Sequence, residues 1–499
     1  MQPIEYKSEL ELLRWLSNDL QVQRAILADK MKIKIEDVKE SDLILNIGMK
    51  DKTKINEKYN HVIDFDFNFE KIISHFNIDR NNIEYKINFN KIIFKGDINF
   101  IDIKFNNEFE FTHSYSKNKI KFVMVEFKKI SDFSFSDISN ILFMHTRFYD
   151  KSFFSNATFS HISFVKAKFR KTMRMEESKI GNVSFFSIRF LNNAIFNDTS
   201  FNEKIIFFDI LFKNKVNFKK ARFITETTFN KIKFSNVSNF SEIYVEENIK
   251  LYELIFDKNA ILIFNYLHLN STNSSLSISN CKNIIKNIKF KGILLTDLRK
   301  IELRNIEAKE TDFKGSIING GLINPVNFKV HKFANRESAL FLKQQAYARN
   351  NAIDALEYKA KEIECHKNDL IKDWQKNKDF KTFGDIVSIG LSSLYSDNGQ
   401  NWIRALFMTI AITVICFIVF YIPDLTQSNI IRLYYKNLFP ELIKYFIPTD
   451  YTLLIKYAES NLHLLLKIFG VLVYFLGKVL FWYGSVQTVT AFRKFAKGA

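Results

Sequence analysis

Phenylalanine recurs through the middle of the chain with a regular spacing. In two series Phe stands at every eleventh position, and the two series are offset by five, so the interval between neighbours alternates between five and six. The two series are Phe185, Phe196, Phe207, Phe218, Phe229 and Phe240, and Phe190, Phe201, Phe212, Phe223 and Phe234. The same interval starts at Phe67 and passes through Ile78, Phe89, Phe100, Phe111, Phe122 and Phe133. It slips near Phe143 and is interrupted from about Arg170 to Gly181, which predicts a loop or bulge there.

The residue two positions before each of these Phe is small or apolar, as at Ala157, Ala167, Val183, Ala194 and Val216. Positions two apart on an extended chain point to the same face, whereas an α-helix needs a period of 3.6. The residues between them are Lys, Asn, Asp, Ser and Thr, which face water or turn corners. Each unit of five or six residues is therefore predicted to be one short strand with two inward side chains.

Three segments carry a family resemblance: Ala157-Thr158-Phe159, Ala167-Lys168-Phe169 and Ala221-Arg222-Phe223 resemble the small-x-Leu/Phe core of pentapeptide-repeat proteins. That family forms a right-handed quadrilateral β-helix with four short strands per coil. The resemblance implies a right-handed parallel β-solenoid over residues 61–330. The alternation of five- and six-residue units departs from the family's regular repeat and predicts coils of about 22 residues, roughly nine in number. It implies core stacking for the ladder Phe. The solenoid lacks the strongly acidic surface of the family members that mimic DNA and inhibit topoisomerases, which argues against that role.

The N-terminal residues 1–60 do not follow the ladder. Glu9 to Leu20 reads as an amphipathic helix, with Leu10, Leu12, Leu13 and Leu16 as its apolar positions. We interpret this region as a helical cap over the open end of the solenoid. A module that binds a partner is the less favoured alternative.

Residues 331–400 differ in composition and are predicted to form a cytoplasmic helical hairpin and linker. Arg336–Arg349 and Ala352–Cys365 are rich in strong helix formers, and Asn350-Asn351 between them is a plausible turn. Lys367–Thr382 is polar and of mixed charge, which indicates a linker.

Residues 401–499 are predicted to form a transmembrane hairpin. Ala405–Ile422 contains no charged residue and is long enough to cross the hydrocarbon layer as a helix. Leu464–Val486 is a second candidate span, and it contains Lys467 and Lys478. Lys467 lies near the start and can reach the interface, but Lys478 lies deeper, where a charge is costly unless it faces protein or water.

Three glycines recur at every seventh position in the second candidate span, at Gly470, Gly477 and Gly484. Small residues at such spacing let another helix approach closely. We therefore regard these glycines, with Lys467 and Lys478, as candidate pore or helix-packing residues.

The segment that connects the two spans, Asp424–His463, mixes apolar, aromatic and basic residues. Ile430–Leu438 and Tyr451–Tyr457 have the character of interfacial helices, and Glu441–Ile447 is bracketed by two prolines. A hairpin on the lipid surface is the favoured interpretation. A re-entrant pore element is the alternative.

Charge, cysteine content and the two termini bear on where in the cell the protein is expected. Lys and Arg number 72 against 54 Asp and Glu, a net charge of +18, and the three cysteines share no metal-ligand or disulfide spacing. The polar N-terminus lacks the features of a signal peptide, and the basic tail Arg493–Lys497 favours the cytoplasm by the positive-inside rule. We expect a bacterial inner-membrane protein with two spans and both termini in the cytoplasm.

The sequence holds no motif of a known enzyme class and no candidate site for a cofactor or metal. The leading hypothesis is a membrane-anchored scaffold whose solenoid binds an unknown protein partner at the cytoplasmic face. The alternative is a homo-oligomer that forms a two-helix channel or permeabilises the membrane in a stress or phage-defence response, with Lys478 facing the lumen. Nucleic-acid binding rests on charge alone and is disfavoured.

Overall fold

The computed structural model describes residues 4–47, 61–427, 438–447, 449–459 and 463–496. The chain divides into two compact units, Met1–Lys332 and Phe333–Ala499. The first contains a parallel β-solenoid of about 11 turns with about 22 residues per turn. The second is helical and contains two candidate membrane spans. The predicted parallel solenoid, its coil length and the helices that follow it are confirmed.

Successive coils pair in parallel, residue above residue. One column runs through Ile98, Ile120, Ile141, Ile162, Val183, Ile205 and Thr227. A neighbouring column contains Phe229 and continues through Leu251, Ile278 and Leu303. The predicted number of nine coils was too low, because the coils beyond Phe256 carry Leu or Ile in this column where earlier coils carry Phe.

The strands are numbered in chain order. The first eighteen are β1 (Ile4–Tyr6), β2 (Ile44–Asn46), β3 (His61–Ile63), β4 (Phe67–Asn68), β5 (Lys86–Asn88), β6 (Ile92–Phe94), β7 (Ile98–Ile101), β8 (Lys104–Phe105), β9 (Phe109–Glu110), β10 (Tyr115–Val123), β11 (Glu126–Phe127), β12 (Ser131–Asp132), β13 (Asp137–Met144), β14 (Arg147–Phe148), β15 (Ser152–Phe153), β16 (Thr158–Val165), β17 (Lys168–Phe169) and β18 (Met173–Arg174). The remaining strands are β19 (Lys179–Phe186), β20 (Arg189–Phe190), β21 (Ala194–Ile195), β22 (Ser200–Phe201), β23 (Ile205–Phe212), β24 (Val216–Asn217), β25 (Arg222–Phe223), β26 (Thr227–Phe234), β27 (Val237–Asn239), β28 (Tyr244–Val245), β29 (Asn248–Tyr252), β30 (Ile255–Phe256), β31 (Ile261–Ile263), β32 (His268–Leu269), β33 (Ser275–Ser279), β34 (Ile285–Lys289), β35 (Leu294–Thr296), β36 (Lys300–Asp312), β37 (Ile317–Asn319) and β38 (Leu322–Phe333).

The core of the solenoid consists of stacked phenylalanine rings. In one column the rings of successive coils lie 4.4–5.1 Å apart between centroids, through Phe100, Phe122, Phe143, Phe164, Phe185, Phe207 and Phe229. Further columns contain Phe169, Phe190, Phe212 and Phe234, then Phe196, Phe218 and Phe240, and the pair Phe201 and Phe223. The ten predicted core residues are at most 1% exposed. Each of the two series of Phe therefore alternates between two columns.

One corner in every half-coil is built from a residue with a left-handed backbone. Between Lys91 and Glu253 these residues have φ between 52° and 60°. They are Lys91, Asp102, His113, Met124, Phe135, His145, Asn156, Lys166, Glu177, Ser187, Asp198, Asp209, Lys220, Lys231, Glu242 and Glu253. Glycine adopts this conformation without steric cost, whereas other residues do not. The tight corners between Lys91 and Glu253 are therefore formed by residues other than glycine.

The predicted interruption between Arg170 and Gly181 is wrong, because the coil continues there. Strand β18 pairs with β15 and β21, and β19 pairs with β16. Met173, Met175 and Ile180 occupy the interior and are fully buried. Paired residues in this stretch, such as His161 and Asn182, are one position closer in sequence than pairs in later coils, such as Ile205 and Thr227. The shorter coils shift the spacing of Phe without breaking the solenoid.

The N-terminal region combines a long helix with two strands that join the sheet. Helix α1 (Glu9–Met31) starts at Ser8, whose hydroxyl accepts a hydrogen bond from the Glu11 amide, and it runs beyond the predicted end at Leu20. Its buried side chains are Leu12, Leu13, Leu16, Leu20 and Ala28, whereas Leu10 is 55% exposed. Strands β1 and β2 pair with β3 and β5. Helix α2 (Phe69–His75) replaces strand in the first coil, where the sequence had predicted a continuing ladder.

The second unit contains seven described helices. They are α3 (Arg336–Ala348), α4 (Ala352–Asn377), α5 (Phe380–Ser396), α6 (Trp402–Gln427), α7 (Leu438–Phe446), α8 (Thr452–Ala458) and α9 (Leu464–Ala496). The predicted hairpin corresponds to α3 and α4, capped by the side chains of Asn335 and Asn351. The predicted linker Lys367–Thr382 is wrong, since α4 and α5 are helical through most of it. Its polar residues belong to exposed helix faces.

Candidate functional site

Helices α6 and α9 form an antiparallel pair of candidate membrane spans. Their apolar stretches, Trp402–Ile422 and Leu464–Arg493, have mean hydropathies of 2.7 and 2.1. Ring contacts place Trp402 beside Phe492, 5.7 Å apart, and Phe420 beside Tyr474, 5.4 Å apart. The two helices therefore pack along most of their shared length, as expected for a membrane hairpin.

The three glycines of α9 lie where aromatic and polar side chains of the same chain approach its backbone. A Cβ atom on Gly470 would collide with the Tyr457 ring, and one on Gly477 would lie 2.9 Å from the Cβ of Cys416. A Cβ on Gly484 would lie 2.6 Å from the Tyr395 ring. The glycine seam thus serves packing within one chain, against α5, α6 and α8.

Lys478 is buried inside the helical unit, with 5% of its surface exposed. Its ammonium group donates hydrogen bonds to the carbonyl oxygens of Tyr445, at 2.7 Å, and Ile447, at 2.6 Å. Its Nζ atom also lies 5.2 Å from the ring centroids of Tyr445 and Tyr474. These carbonyls belong to the C-terminal end of α7, where a cation offsets the helix dipole. Within one chain Lys478 therefore holds a neighbouring helix, whereas the channel alternative places it at a lumen between subunits.

Lys467 makes a similar contact nearer the end of α9. Its ammonium donates to the carbonyl oxygen of Ala458, at 2.8 Å, the last residue of α8. Lys467 and Lys478 therefore bind the ends of the two short helices that precede α9.

Helices α7 and α8 form a hairpin that packs against the apolar stretches of α6 and α9. Tyr445 near the end of α7 lies beside Gly477, as does Cys416. Cys416 precedes Ile422 by six residues, or about 9 Å of helix. The Tyr474 hydroxyl donates to the carbonyl oxygen of Asp450, at 2.6 Å, in the turn between α7 and α8. This geometry favours the re-entrant alternative over a hairpin on the lipid surface. The predicted interfacial stretch from Ile430 lies mostly outside the described residues.

A cluster of mainly aromatic side chains fixes the hairpin of α7 and α8. Its buried members are Phe417, Phe420, Tyr421, Tyr445, Leu453, Tyr457 and Tyr474. The Tyr421 hydroxyl donates to a carboxylate oxygen of Glu441, at 2.6 Å. These tyrosines were not predicted as contact residues, although the recurrence of tyrosine in the segment between the spans, which includes Tyr445 and Tyr457, was a signal for it.

The solenoid carries a candidate binding surface that the sequence analysis missed. Outward-facing apolar side chains lie one above another on six successive coils, at Ile101, Val123, Met144, Val165, Phe186 and Phe208. We call this set the apolar stripe. All six side chains are at least partly exposed. At a strand spacing of about 4.8 Å the stripe is about 24 Å long. Its sequence signal is an apolar residue directly after a ladder residue once per coil.

Other outward columns of the same coils are polar or mixed. The column next to the stripe in chain order contains Lys104, Glu126, Arg147, Lys168 and Arg189. On another wall, Phe153 lies between Asp132 and Arg174. The stripe is therefore a local feature and does not reflect a generally apolar exterior.

Titratable side chains also lie outside the apolar stripe and the surroundings of Lys478. No group of three or more His, Cys, Asp or Glu side chains is arranged to hold a metal ion in that part of the chain. Burial raises the pKa of the Cys281 thiol to about 12, which keeps it protonated and poorly nucleophilic. The Cys365 thiol donates to the Phe333 carbonyl oxygen, and His366 Nδ1 lies 3.5 Å from the Arg336 guanidinium.

Comparison with known proteins adds no relative: no protein-family model, curated protein or solved structure matches the chain. The apolar stripe of the solenoid and the helix packing around Lys478 are therefore the features that bear on function.

Proposed function

We propose that this protein is a non-enzymatic, membrane-anchored scaffold of the pentapeptide-repeat type. In this proposal α6 and α9 anchor the chain in the inner membrane, and the solenoid binds a protein partner on the cytoplasmic side. The apolar stripe is the observation that carries the proposal. Apolar side chains aligned on six coils lose contact with water when a partner covers them, and such aligned patches commonly mark protein interfaces.

The cytoplasmic assignment is supported by the basic residues of the membrane unit. Trp402 and Phe492 are in contact, so the N-terminal end of α6 and the C-terminal end of α9 lie on the same side. Arg404 and Arg493 are found at this end. The positive-inside rule favours the cytoplasm for such an end.

The scaffold proposal is tested by making the stripe polar in the full chain. Phe186→Ser and Phe208→Ser would be compared with Phe153→Ser, which replaces a partly exposed Phe outside the stripe. Partners would be identified by crosslinking in the native host and quantified by mass spectrometry. We expect one or more defined partners to be lost from both stripe variants and kept by the control. Equal recovery from all three variants would contradict the proposal.

The re-entrant hairpin supports a second candidate, an oligomeric channel. Asp450 lies at the tip of this hairpin, where its carboxylate accepts hydrogen bonds from the Thr452 amide, at 2.9 Å, and hydroxyl, at 2.6 Å. If several subunits brought these tips around one axis, a ring of carboxylates would favour cations. Lys478 would then position the hairpin and would not line the pore.

This candidate is tested by ion flux from liposomes that contain the purified full chain. A channel predicts flux from the wild type, and reduced preference for K⁺ over Cl⁻ in Asp450→Asn. Absence of flux from inserted, folded protein would argue against a channel that opens without a trigger. Flux with unchanged selectivity in the variant would remove Asp450 from the conduction path.

A further inference from the structure

Helix α5 turns polar side chains toward the rest of the protein and apolar side chains outward. A helix on the surface of a water-soluble protein does the reverse. The polar face of α5 is turned toward α9. The hydroxyls of Ser392 and Ser396 donate to Oε1 of Gln487, at 3.3 and 2.8 Å, and Tyr483 donates to the carbonyl oxygen of Ser388, at 3.4 Å. Hydroxyl and amide groups thus satisfy one another between the two helices.

The outward face of α5 is apolar. Phe380, Phe383, Val387 and Leu394 follow one another at intervals of three, four and seven residues, which places them on one side of the helix. They are 86%, 43%, 43% and 44% exposed. In water this arrangement would expose apolar surface and gain little from the buried serines. In hydrocarbon it is favourable, because polar groups find partners inside the protein and apolar groups face lipid.

The C-terminal end of α5 also reaches the depth of the membrane spans. A Cβ on Gly484 would contact both the Tyr395 ring and Thr409 of α6. Thr409 lies seven residues after Trp402, or about 10 Å further along the span. The Tyr395 hydroxyl donates to the carbonyl oxygen of Leu480, at 3.2 Å, deeper still along α9. The apolar face of α5 is therefore continuous with the lipid-facing surface of the spans.

We propose that α5 is a third membrane-embedded element, which lies within the cytoplasmic leaflet and binds acyl chains through Phe380, Phe383, Val387 and Leu394. This inference rests on the proposed membrane insertion of α6 and α9. Lys378 and Lys381 flank the N-terminal end of the helix and can extend to lipid phosphates. The charged residue Asp385 lies on a different side of the helix from Val387.

The inference is tested by spin labelling of the full chain in vesicles of phosphatidylethanolamine and phosphatidylglycerol. In a background with Cys281, Cys365 and Cys416 replaced by Ser, single cysteines would replace Phe383 and Val387 on the apolar face. Phe407, 71% exposed on α6, provides the lipid reference, and Lys213, exposed on the solenoid, provides the water reference. Collision of each nitroxide with oxygen, which partitions into lipid, and with a water-soluble nickel chelate would be measured.

We expect labels at residues 383 and 387 to resemble the label at 407, with oxygen collisions several-fold above those with nickel. A label at Asp385 on the charged side should collide more with nickel than the label at Val387 does. If the label at Val387 collides with nickel as often as the label at Lys213 while the label at Phe407 remains in lipid, the inference about α5 is wrong and the proposed insertion of α6 and α9 stands. Low collision with both reagents at Val387 would indicate a protein contact and would overturn the inference about α5 too. Water access at Phe407 would instead overturn the proposed membrane insertion.

Discussion

The corners of the solenoid hold single residues in a costly backbone conformation. Lys220 is one of them, with φ of 60°, and its side chain is exposed. A left-handed conformation costs a non-glycine residue about 1–2 kcal/mol, whereas glycine adopts it freely but loses more chain entropy on folding. We expect Lys220→Gly to raise the unfolding free energy by about 1 kcal/mol, as measured by chemical denaturation in detergent.

The matched control is Lys213→Gly, at an exposed position outside the left-handed corners. There glycine brings its entropy cost without relief of strain, and the unfolding free energy should fall by about 0.5–1 kcal/mol. Equal effects of both substitutions would contradict the strain argument.

A buried histidine makes the N-terminal region sensitive to acid. The Tyr6 hydroxyl and His61 Nδ1 are 3.1 Å apart, the Trp15 ring packs against the imidazole, and burial lowers the pKa of His61 to about 4. Between this pKa and the ordinary value of about 6.5 the unfolded chain binds the extra proton, so acidification favours unfolding. We expect the unfolding free energy to fall by about 1.4 kcal/mol per pH unit through that window.

The measurement is denaturant unfolding of the full chain at a series of pH values between 7 and 4. His61→Phe keeps an aromatic ring but cannot bind the proton, and its stability should depend less on pH by the same amount. Identical pH profiles for the wild type and the variant would show that other groups control the acid response.

At the scale of secondary-structure elements, strand β23 has one Phe in the core and the next Phe on the surface. In β23, Phe207 is buried between the rings of Phe185 and Phe229, with centroids 4.9 and 4.4 Å away, whereas Phe208 faces outward. Phe207→Ala would leave a cavity, and we expect a loss of about 3–5 kcal/mol in unfolding free energy. Phe208→Ala should cost less than about 1 kcal/mol, because little buried volume is removed. Similar losses from both variants, measured by thermal and chemical unfolding, would contradict the assignment of faces.

The same two residues show how far the sequence could predict this fold. The recurrence of Phe at every eleventh position placed Phe207 in the interior and predicted parallel coils. Phe208 became significant only when strands were aligned, because coil lengths that differ by a single residue decide which outward residues lie above one another. Those lengths were obscured where Met173 and Met175 take the place of Phe. The apolar stripe could therefore be recognised only from the register of the paired strands, because the spacing of Phe in the sequence does not determine that register.

The candidate membrane site was less predictable for a different physical reason. The sequence indicated that Lys478 is costly in a span unless it has a partner. Its partners are the backbone carbonyls of Tyr445 and Ile447, which come much earlier in the chain. Every residue has a carbonyl, so no side-chain pattern marks the ones that accept these bonds. The depth of α7 and α8 likewise depends on packing at Gly470 and Gly477.

The attachment of the hairpin of α7 and α8 to α9 gives a further prediction at this scale. Lys478→Met removes both donors and leaves the end of α7 without its cation, with an expected loss of about 1.5–3 kcal/mol in local stability. Hydrogen–deuterium exchange should become faster across α7 and α8 and stay unchanged in the solenoid. Val479→Met introduces the same side chain at an exposed neighbouring position and should leave exchange unaltered. Unchanged exchange in Lys478→Met would show that the aromatic cluster alone holds the hairpin.

At the scale of the whole molecule, two units with different exposed surfaces share one chain. The solenoid buries its ladder Phe in its own interior and, apart from the apolar stripe, presents mostly polar or mixed columns outward. The helical unit instead leaves large apolar residues exposed on α5, α6 and α9, among them Phe407 at 71% and Leu472 at 64%. Exposed apolar surface of that extent is characteristic of contact with lipid. Membrane attachment should therefore belong entirely to Phe333–Ala499.

This division predicts how full-length and shortened chains behave when membranes are washed with alkaline carbonate. The full chain should remain in the membrane pellet, because removing α6 and α9 from lipid would expose their apolar faces to water. A chain of residues 1–332 should be recovered in the supernatant and retain a β-rich circular dichroism spectrum. If the shortened chain stays with the membrane, the apolar stripe itself binds lipid and the scaffold proposal loses its main support. If the full chain is released, α6 and α9 do not span the bilayer, and both the anchor and the embedded α5 are wrong.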